Sequence, residues 1–150
     1  MGRFFSRYNS MIERNEIMKL LPHRPPMLLI DCGELKEGVS ICYYTVRGNE
    51  FFLQGHFPDN PVVPGVIQCE MMAQASCLLF ARNEQSIDNP KTPYLTGLDK
   101  VKFRSKIVPG NRIELRSELT KQKAPFYFTK CSASVDGKLA CTAEISFALI

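Results

Sequence analysis

The sequence predicts an α+β domain in which one long helix is wrapped by an antiparallel β-sheet. Two observations predict this fold. Val66 to about Arg82 ("VIQCEMMAQASCLLFAR") is apolar on nearly every side, as expected of a helix buried on most of its faces. Segments typical of strands, separated by short turns, precede and follow this helix. A sheet that packs around a single central helix satisfies both observations.

The part of the chain before the long helix predicts one short helix and two strands. Asn15 to Leu21 ("NEIMKLL") is the helix candidate, because Asn15 is a good N-cap and Pro22 stops its continuation. "MLLIDCGEL" and "GVSICYYTV" are typical of strands, and a polar turn at residues 36–38 separates them.

The part of the chain after the long helix predicts further strands. The candidates are "YLTGLDKVKFRSKIV", "NRIELRSELTKQ" and "FYFTKCSASVDGKLACTAEISFALI". A hairpin turn at Asp136-Gly137 divides the last segment, and a corner at Pro109-Gly110-Asn111 joins the first two.

Length and composition indicate a single globular domain over residues 1–150. Hydrophobic residues make up 45% of the chain and charged residues 23%, which is a globular balance. No apolar run reaches the roughly 18–20 residues of a membrane span. The first residues have scattered charges and no apolar core of a secretory signal, so we expect a cytoplasmic protein. Residues 1–14 are expected to be an N-terminal extension, to which the sequence assigns no role.

The six cysteines do not form a metal-binding pattern. They include no C-x-x-C pair and no neighbouring histidine cluster, which argues against a zinc site. Their positions within apolar segments are typical of thiols in a reducing compartment.

The formal net charge of +4 permits an acidic partner, but no nucleic-acid motif accompanies it.

The segment "PVVPG" precedes the long helix and carries the first candidate for function. Gly65 is expected in the first turn, where free N–H groups carry partial positive charge. Without a side chain, Gly65 lets a ligand carbonyl approach these groups, so the segment predicts an oxyanion-stabilising site. The alternative is a plain proline-led helix start, and the segment alone favours that alternative.

Three polar residues near this helix start suggest proton transfer. Glu70 and Gln74 lie on one face of a helix that is otherwise apolar, and His56 lies in the loop "GHFP". Each residue alone is better explained as structural, by a salt bridge or a bonded loop carbonyl. Together, a histidine, a helix N-terminus and a partly buried carboxylate can remove a proton next to a carbonyl and protonate a leaving hydroxyl.

Three blocks of the sequence carry a family resemblance. "LPHRPPMLLID", "GHFPDNPVVPGVIQCEMMAQ" and "GLDKVKFRSKIVPGNRIEL" resemble, in order and spacing, signature blocks of bacterial 3-hydroxyacyl-[acyl-carrier-protein] dehydratases of the FabZ type. The resemblance runs from about Asn15 to the C-terminus. It implies a hot-dog fold, in which a curved antiparallel sheet wraps a long central helix. It also implies a homodimer, commonly assembled as a trimer of dimers, that dehydrates a (3R)-3-hydroxyacyl chain on acyl carrier protein without a cofactor.

The resemblance implies roles for His56, Glu70 and Gly65. His56 and Glu70 become the catalytic pair, with Glu70 supplied across the dimer interface by the other subunit. Gly65 becomes the residue whose N–H polarises the thioester carbonyl. Gln74 is a further substrate-binding candidate because of its place on the same helix face as Glu70, and not because of the resemblance. The related isomerising dehydratases of the FabA type carry Asp at the position of Glu70, so glutamate favours dehydration without isomerisation.

A basic stripe in "KVKFRSK" predicts a docking surface. Lysine and arginine occupy alternate positions, 100, 102, 104 and 106, and would share one face of a strand. A solvated strand face explains the pattern about as well. An acidic carrier protein would be steered by such a rim, and Lys102 and Arg104 are our candidates for contact with it.

Two other functions are compatible with the fold. An acyl-thioester hydrolase also places a carboxylate on the central helix, but it does not need the histidine of "GHFP". A non-catalytic acyl-thioester sensor usually carries a DNA-binding domain, and about fifteen residues before the family match cannot hold one. The dehydratase is therefore the leading hypothesis, the hydrolase the second and the sensor the third.

Overall fold

The computed structural model describes residues 10–84 and 90–150, with only the backbone described for residues 81–84. The elements of these residues, in chain order, are β1 (Ile12–Glu13), α1 (Arg14–Leu20), β2 (Cys32–Lys36), β3 (Val39–Thr45), a 3₁₀-helix (Phe51–Leu53), α2 (Gly65–Glu84), β4 (Pro93–Phe103), β5 (Arg112–Lys123), β6 (Phe126–Val135) and β7 (Lys138–Leu149).

The strands form one sheet around the central helix α2. The order across the sheet is β1-β2-β3-β5-β6-β7-β4, and each neighbouring pair is antiparallel. Helix α2 packs mainly against β5, β3 and β6, in the middle of the sheet. This arrangement confirms the predicted fold class.

Burial of α2 explains why its sequence is apolar on nearly every side. All residues from 71 to 78 are buried. Toward its C-terminal end, the ring of Phe80 lies 4.4 Å from the ring of Tyr127 and 5.4 Å from that of Phe147. These aromatic contacts hold the C-terminal part of the helix against β6 and β7. The N-terminal end of the helix forms the site described below.

A buried hydroxyl cluster joins α2 to the sheet. Ser76 Oγ donates to Met72 O at 2.9 Å, and it lies 2.7 Å from Ser117 Oγ and 3.0 Å from Thr129 Oγ1. Thr129 Oγ1 in turn donates to Ile145 O. Since a buried hydroxyl without a partner is costly, this cluster fixes the position of the helix along β5 and β6.

The predicted turns are confirmed by their backbone angles. Asp136 and Gly137 have φ values of 50° and 77° between β6 and β7, and Glu37 and Gly38 have 41° and 81° between β2 and β3. Two successive positive φ angles define the two-residue hairpin turn that matches the twist of the strands.

Several predicted boundaries were wrong. Helix α1 begins at Arg14, so Asn15 lies inside it, and Glu13 occupies the N-cap position without a side-chain cap. The first predicted strand begins only at Cys32, because the Leu29 N–H bonds to a side chain of α2 instead of to a neighbouring strand.

The predicted strand "YLTGLDKVKFRSKIV" also ends early. Its register with β7 shifts between Asp99 and Lys102, where Lys100 has a φ of +50°, and β4 stops at Phe103. Arg104 and Lys106 therefore lie beyond the strand, and the four basic residues do not form one regular strand face.

The described residues contain neither a membrane-spanning helix nor a cluster of metal-binding side chains. None of their helices is long and apolar enough to cross a membrane. Within the same ranges, no three histidine, cysteine or acidic side chains cluster as metal ligands do.

Candidate active site

The N-terminus of α2 presents free backbone donors. Gly65 is the first residue of the helix, and the first amides to find an acceptor are those of Ile67 and Gln68, which both donate to Pro64 O at 3.0 and 3.1 Å. The N–H groups of Gly65 and Val66 have no backbone acceptor within residues 10–84 and 90–150. These two groups add to the positive end of the helix dipole.

A phenyl ring occupies the space that a side chain at position 65 would fill. A Cβ on Gly65 would lie 2.7 Å from Cζ and 2.8 Å from Cε1 of Phe103, which is far below van der Waals contact. Phe103 is the last residue of β4, and 55% of it is exposed. Glycine at position 65 therefore lets a ring or a ligand lie directly against the helix N-terminus.

The backbone of its own loop holds His56. His56 Nδ1 lies 2.8 Å from Val62 O, and the Val62 N–H donates to His56 O at 3.0 Å. Since a carbonyl can only accept, Nδ1 carries a hydrogen in this contact. In the neutral imidazole, Nε2 is then a free acceptor, which is the form needed by a general base.

Glu70 lies about one and a half turns after Gly65 along α2. It is partly exposed, with 29% of its side chain accessible. Its Oε1 accepts a hydrogen bond from Gln74 Nε2 at 3.1 Å. The predicted shared face of Glu70 and Gln74 is thereby confirmed. One carboxylate oxygen is held from within the helix, and the carboxylate remains accessible.

Gln74 is buried completely, and its amide is engaged by the protein itself. Its Oε1 accepts from the Leu29 N–H at 2.9 Å, and its Nε2 also donates to Met27 O at 2.7 Å. The side chain thus joins α2 to residues 27–29 and orients Glu70. A direct contact with substrate, as predicted from the sequence, would have to compete with these three bonds.

The structure adds His23, which the sequence analysis did not single out. His23 Nε2 lies 3.7 Å from Glu70 Oε1, and only 19% of the His23 side chain is exposed. Burial lowers the pKa of His23 below its ordinary value of 6.5, while the Glu70 carboxylate raises it and Arg24 lowers it. The chain has only two histidines, and this scarcity is the one sequence signal that pointed to His23.

His56 and Glu70 have separate surroundings within one chain. In the described part of the molecule, no hydrogen bond or ion pair connects them. His56 contacts residues 57–62, whereas Glu70 contacts the segment that carries His23 and the next turn of α2.

Lys102 and Arg104 line a groove of about 560 Å³ in the surface of the sheet. The cationic side chains that line it are Lys100, Lys102, Arg104, Arg116 and Lys130, and the acidic ones are Glu118 and Glu144. The strand register places Arg116, Ser132, Thr142 and Lys102 in one row across four strands. The basic character predicted for residues 100–106 therefore extends across the sheet.

The fold and the site define a hot-dog protein with a histidine and a glutamate near the start of its central helix, and the chain matches known proteins of this class. The model of the FabA-like domain matches residues 21–144. The 3-hydroxyacyl-[acyl-carrier-protein] dehydratase FabZ of Clostridium perfringens is 44% identical over 140 residues, which cover 93% of this chain and 99% of that protein. The dehydratase FabZ of Clostridium beijerinckii is 45% identical over 143 residues, with the same coverage.

The chain therefore belongs to the FabA-like family, and within it to the 3-hydroxyacyl-[acyl-carrier-protein] dehydratases of the FabZ type. Solved structures agree on the fold. The dehydratase heterocomplex ApeI:P of Xenorhabdus doucetiae aligns with a TM-score of 0.78 at 21% identity, over 89% of this chain and 90% of that one. A hypothetical thioesterase with coenzyme A from Streptococcus pneumoniae aligns with a TM-score of 0.60 at 9% identity, over 78% and 82%.

The hydrogen bonds of Gln74 generate a stability prediction. Gln74→Leu should lower the free energy of unfolding by about 1–3 kcal/mol, because it leaves the buried Leu29 N–H without an acceptor. Urea unfolding followed by circular dichroism measures this change. Gln54→Leu, at an exposed loop position, is the matched control and should change stability by less than about 0.5 kcal/mol. Equal effects of the two variants would contradict the role assigned to Gln74.

Proposed function

We propose that this protein removes water from (3R)-3-hydroxyacyl-[acyl-carrier protein] to give the trans-2-enoyl product, as a cytoplasmic step of fatty-acid biosynthesis. Similarity over almost the whole length to dehydratases of the FabZ type supports the reaction. The observation that carries the mechanism is the bond from His56 Nδ1 to Val62 O, which leaves Nε2 as a positioned base. A thioester hydrolase would not need this positioned histidine, so the arrangement favours the dehydratase.

The site can divide the elimination between three groups. The N–H of Gly65 donates to the thioester carbonyl, which makes the C2 proton more acidic. His56 Nε2 takes that proton, and Glu70 delivers a proton to the hydroxyl on C3. The C3–O bond breaks, water leaves and the C2–C3 double bond forms. Two protons move and no electron is lost, so the reaction needs no redox cofactor.

A second copy of the chain would complete the site. No hydrogen bond or ion pair joins His56 to Glu70 within the described residues of one chain, which supports the proposal that each site takes the histidine from one subunit and the glutamate from the other. Strand β4 ends the sheet and exposes Tyr94, Leu95 and Leu98. An unpaired edge with apolar side chains is suited to pairing with another β4. Three such dimers would form the proposed hexamer.

Acyl carrier protein is the proposed partner, and the basic groove is its proposed docking surface. Lys102 and Arg104 contribute two of the five cations in this groove. Exposed cations steer an acidic partner toward its site and mainly raise the association rate.

Gly65 is the proposed contact of the thioester. Gln74 is proposed to act on the substrate indirectly, because its amide holds the Glu70 carboxylate.

We expect His56→Ala and Glu70→Ala each to lower kcat/KM by about 10²–10⁴-fold, because each removes a positioned acid or base. Loss of absorbance of the enoyl thioester in the reverse hydration reaction provides the assay. Glu16→Ala, on the exposed side of α1, is the control and should keep full activity. Near-normal turnover by either site variant in a folded state would show that its assigned role is wrong.

Mixing the two inactive variants should restore part of the activity. If the pair meets across a dimer interface, a mixed dimer contains one site with both native groups and one with neither. Subunit exchange followed by the same assay therefore tests the shared site. Were both groups supplied by one chain, no site in the mixture would be intact and the rate would stay at background.

Reversing charge in the groove should weaken the use of carrier-bound substrate. Lys102→Glu combined with Arg104→Glu should lower kcat/KM on this substrate, with a smaller loss at high salt, because exposed charges are screened beyond about 8–10 Å. A small thioester without the carrier should be turned over almost normally. Lys121→Glu combined with Lys123→Glu, outside the groove, makes the same charge change and is the control. Equal losses on both substrates would exclude docking as the role of Lys102 and Arg104.

A further inference from the structure

Two buried thiols that the proposed mechanism does not use lie side by side between the central helix and the sheet. Cys69 follows Gly65 by four residues on α2, so the two residues share one face of the helix. The ring of Phe103 lies against Gly65, and Phe103 is directly opposite Cys141 in the register of β4 and β7. The side chains of Cys69 and Cys141 are hydrogen-bonded to each other. The pair therefore connects the beginning of the helix to the sheet beside the end of β4.

The geometry of β7 directs the Cys141 side chain toward the helix. Phe147, six residues further along this strand, is buried, and its ring contacts that of Phe80 on α2. Because side chains alternate between the two faces of a strand, Cys141 lies on the same inner face as Phe147. Cys141 is fully buried, whereas 5% of Cys69 is exposed. Cys69 is thus the thiol that a small molecule from solvent reaches first.

The hydrogen bond between the two thiols makes their reactivity unequal. It lowers the pKa of Cys69, although burial opposes this effect. The same bond raises the pKa of Cys141, and burial adds to the increase. A thiolate is the form of cysteine that attacks an oxidant, and a neighbouring thiol can then displace the oxygen from the product. Once Cys69 is oxidised, it no longer holds the proton on Cys141, and the second sulfur becomes free to react.

The surroundings of the other thiols favour this pair over alternatives. Cys131 also interacts with Cys141, but its sulfur lies among hydroxyl groups, 3.2 Å from Ser76 Oγ and 3.5 Å from Ser117 Oγ. Cys77 lies on the same helix as the proposed attacking thiol, and burial raises its pKa. A buried thiol that keeps its proton is a poor nucleophile.

We propose that Cys69 and Cys141 form a site of reversible oxidation, where hydrogen peroxide converts the two thiols to a disulfide that lowers the activity of the enzyme. The site is distinct from the proposed catalytic groups, which include neither sulfur atom. The disulfide itself does not depend on the proposed function, whereas its effect on activity rests on that function.

The oxidation takes place in two steps. The Cys69 thiolate attacks one oxygen of the peroxide, so that an S–O bond forms, the O–O bond breaks and hydroxide leaves to become water. The Cys141 sulfur then attacks the oxidised sulfur of Cys69. The S–S bond forms, the S–O bond breaks, and the second hydroxide leaves with the thiol proton as water. Two thiols and one peroxide thus give one disulfide and two water molecules, and two electrons pass from sulfur to oxygen.

The disulfide would change the geometry at the start of the helix. Bonded sulfur atoms are about 2.05 Å apart, which is much closer than hydrogen-bonded thiols, so α2 and β7 are drawn together at this point. The ring of Phe103 already lies against Gly65 and leaves no free volume on this side of the helix. The movement therefore shifts the ring or the first turns of α2, which carry Gly65 and Glu70. Either shift disturbs the groups that would bind and protonate the substrate.

Mass spectrometry of the peroxide-treated, full-length protein tests the site without an activity assay. We expect the loss of two hydrogen atoms and a peptide pair linked through Cys69 and Cys141, which a dithiol reductant separates. Cys69→Ser and Cys141→Ser should each prevent the link, whereas Cys77→Ser, at a buried position of the same helix, should keep it. Cys69→Ser decides the test if Cys141→Ser does not fold. No disulfide, or a disulfide between other cysteines, would overturn the proposal.

Kinetics on the same samples test the effect on activity. The oxidised protein should have a kcat/KM about 10- to 100-fold lower on carrier-bound substrate, because a misplacement of about 1 Å has effects of this size. A dithiol reductant should restore the rate, and Cys69→Ser should keep its rate after the same peroxide treatment. Full activity of a protein that is completely disulfide-bonded would refute the control of activity. If the reduced protein did not dehydrate the substrate, the proposed function would fall, while mass spectrometry would still decide whether the disulfide forms.

Discussion

The burial of α2 imposes the constraint on which the rest of the structure depends: each polar group on this helix needs a partner inside the protein. Ser76 meets the requirement with hydroxyl groups from β5 and β6. Gln74 meets it with the backbone of residues 27 and 29, which also draws the segment containing His23 against the helix. Ser76 thus fixes the position of the helix along the sheet, and Gln74 fixes its position relative to the preceding loop.

The polar groups of α2 have fewer hydrogen-bond partners toward the N-terminus of the helix. Ser76 and Gln74 have several partners each, whereas Glu70 has one hydrogen bond and remains partly exposed. Gln68 Oε1 is buried without a partner among the described residues, and its Nε2 reaches Val63 O only at 3.5 Å. The N–H of Gly65 is also free there. The end of the helix that is least satisfied by the protein is the end with groups available to a substrate.

The features that the sequence predicted correctly depend on local chemistry. A buried helix needs an apolar sequence, a two-residue hairpin needs residues such as Asp136-Gly137, and the spacing of Glu70 and Gln74 places them on one face. The missed features depend on distant contacts. Nothing near Leu29 reveals that its N–H bonds to a residue 45 positions away, and that bond is why no strand forms there. The register shift within β4 coincides with a positive φ at Lys100, a residue type that does not indicate such a conformation.

The ring of Phe103 has a consequence for access to the helix start. It lies in the volume beside Gly65 that a side chain would otherwise take. A ligand that approaches the Cα of Gly65 from this side must therefore share that volume with the ring or displace it. Phe103 is the last residue of β4 and is 55% exposed, so its ring borders on solvent. The end of one strand thus limits the space at the beginning of the helix, although the two residues are 38 positions apart in the sequence.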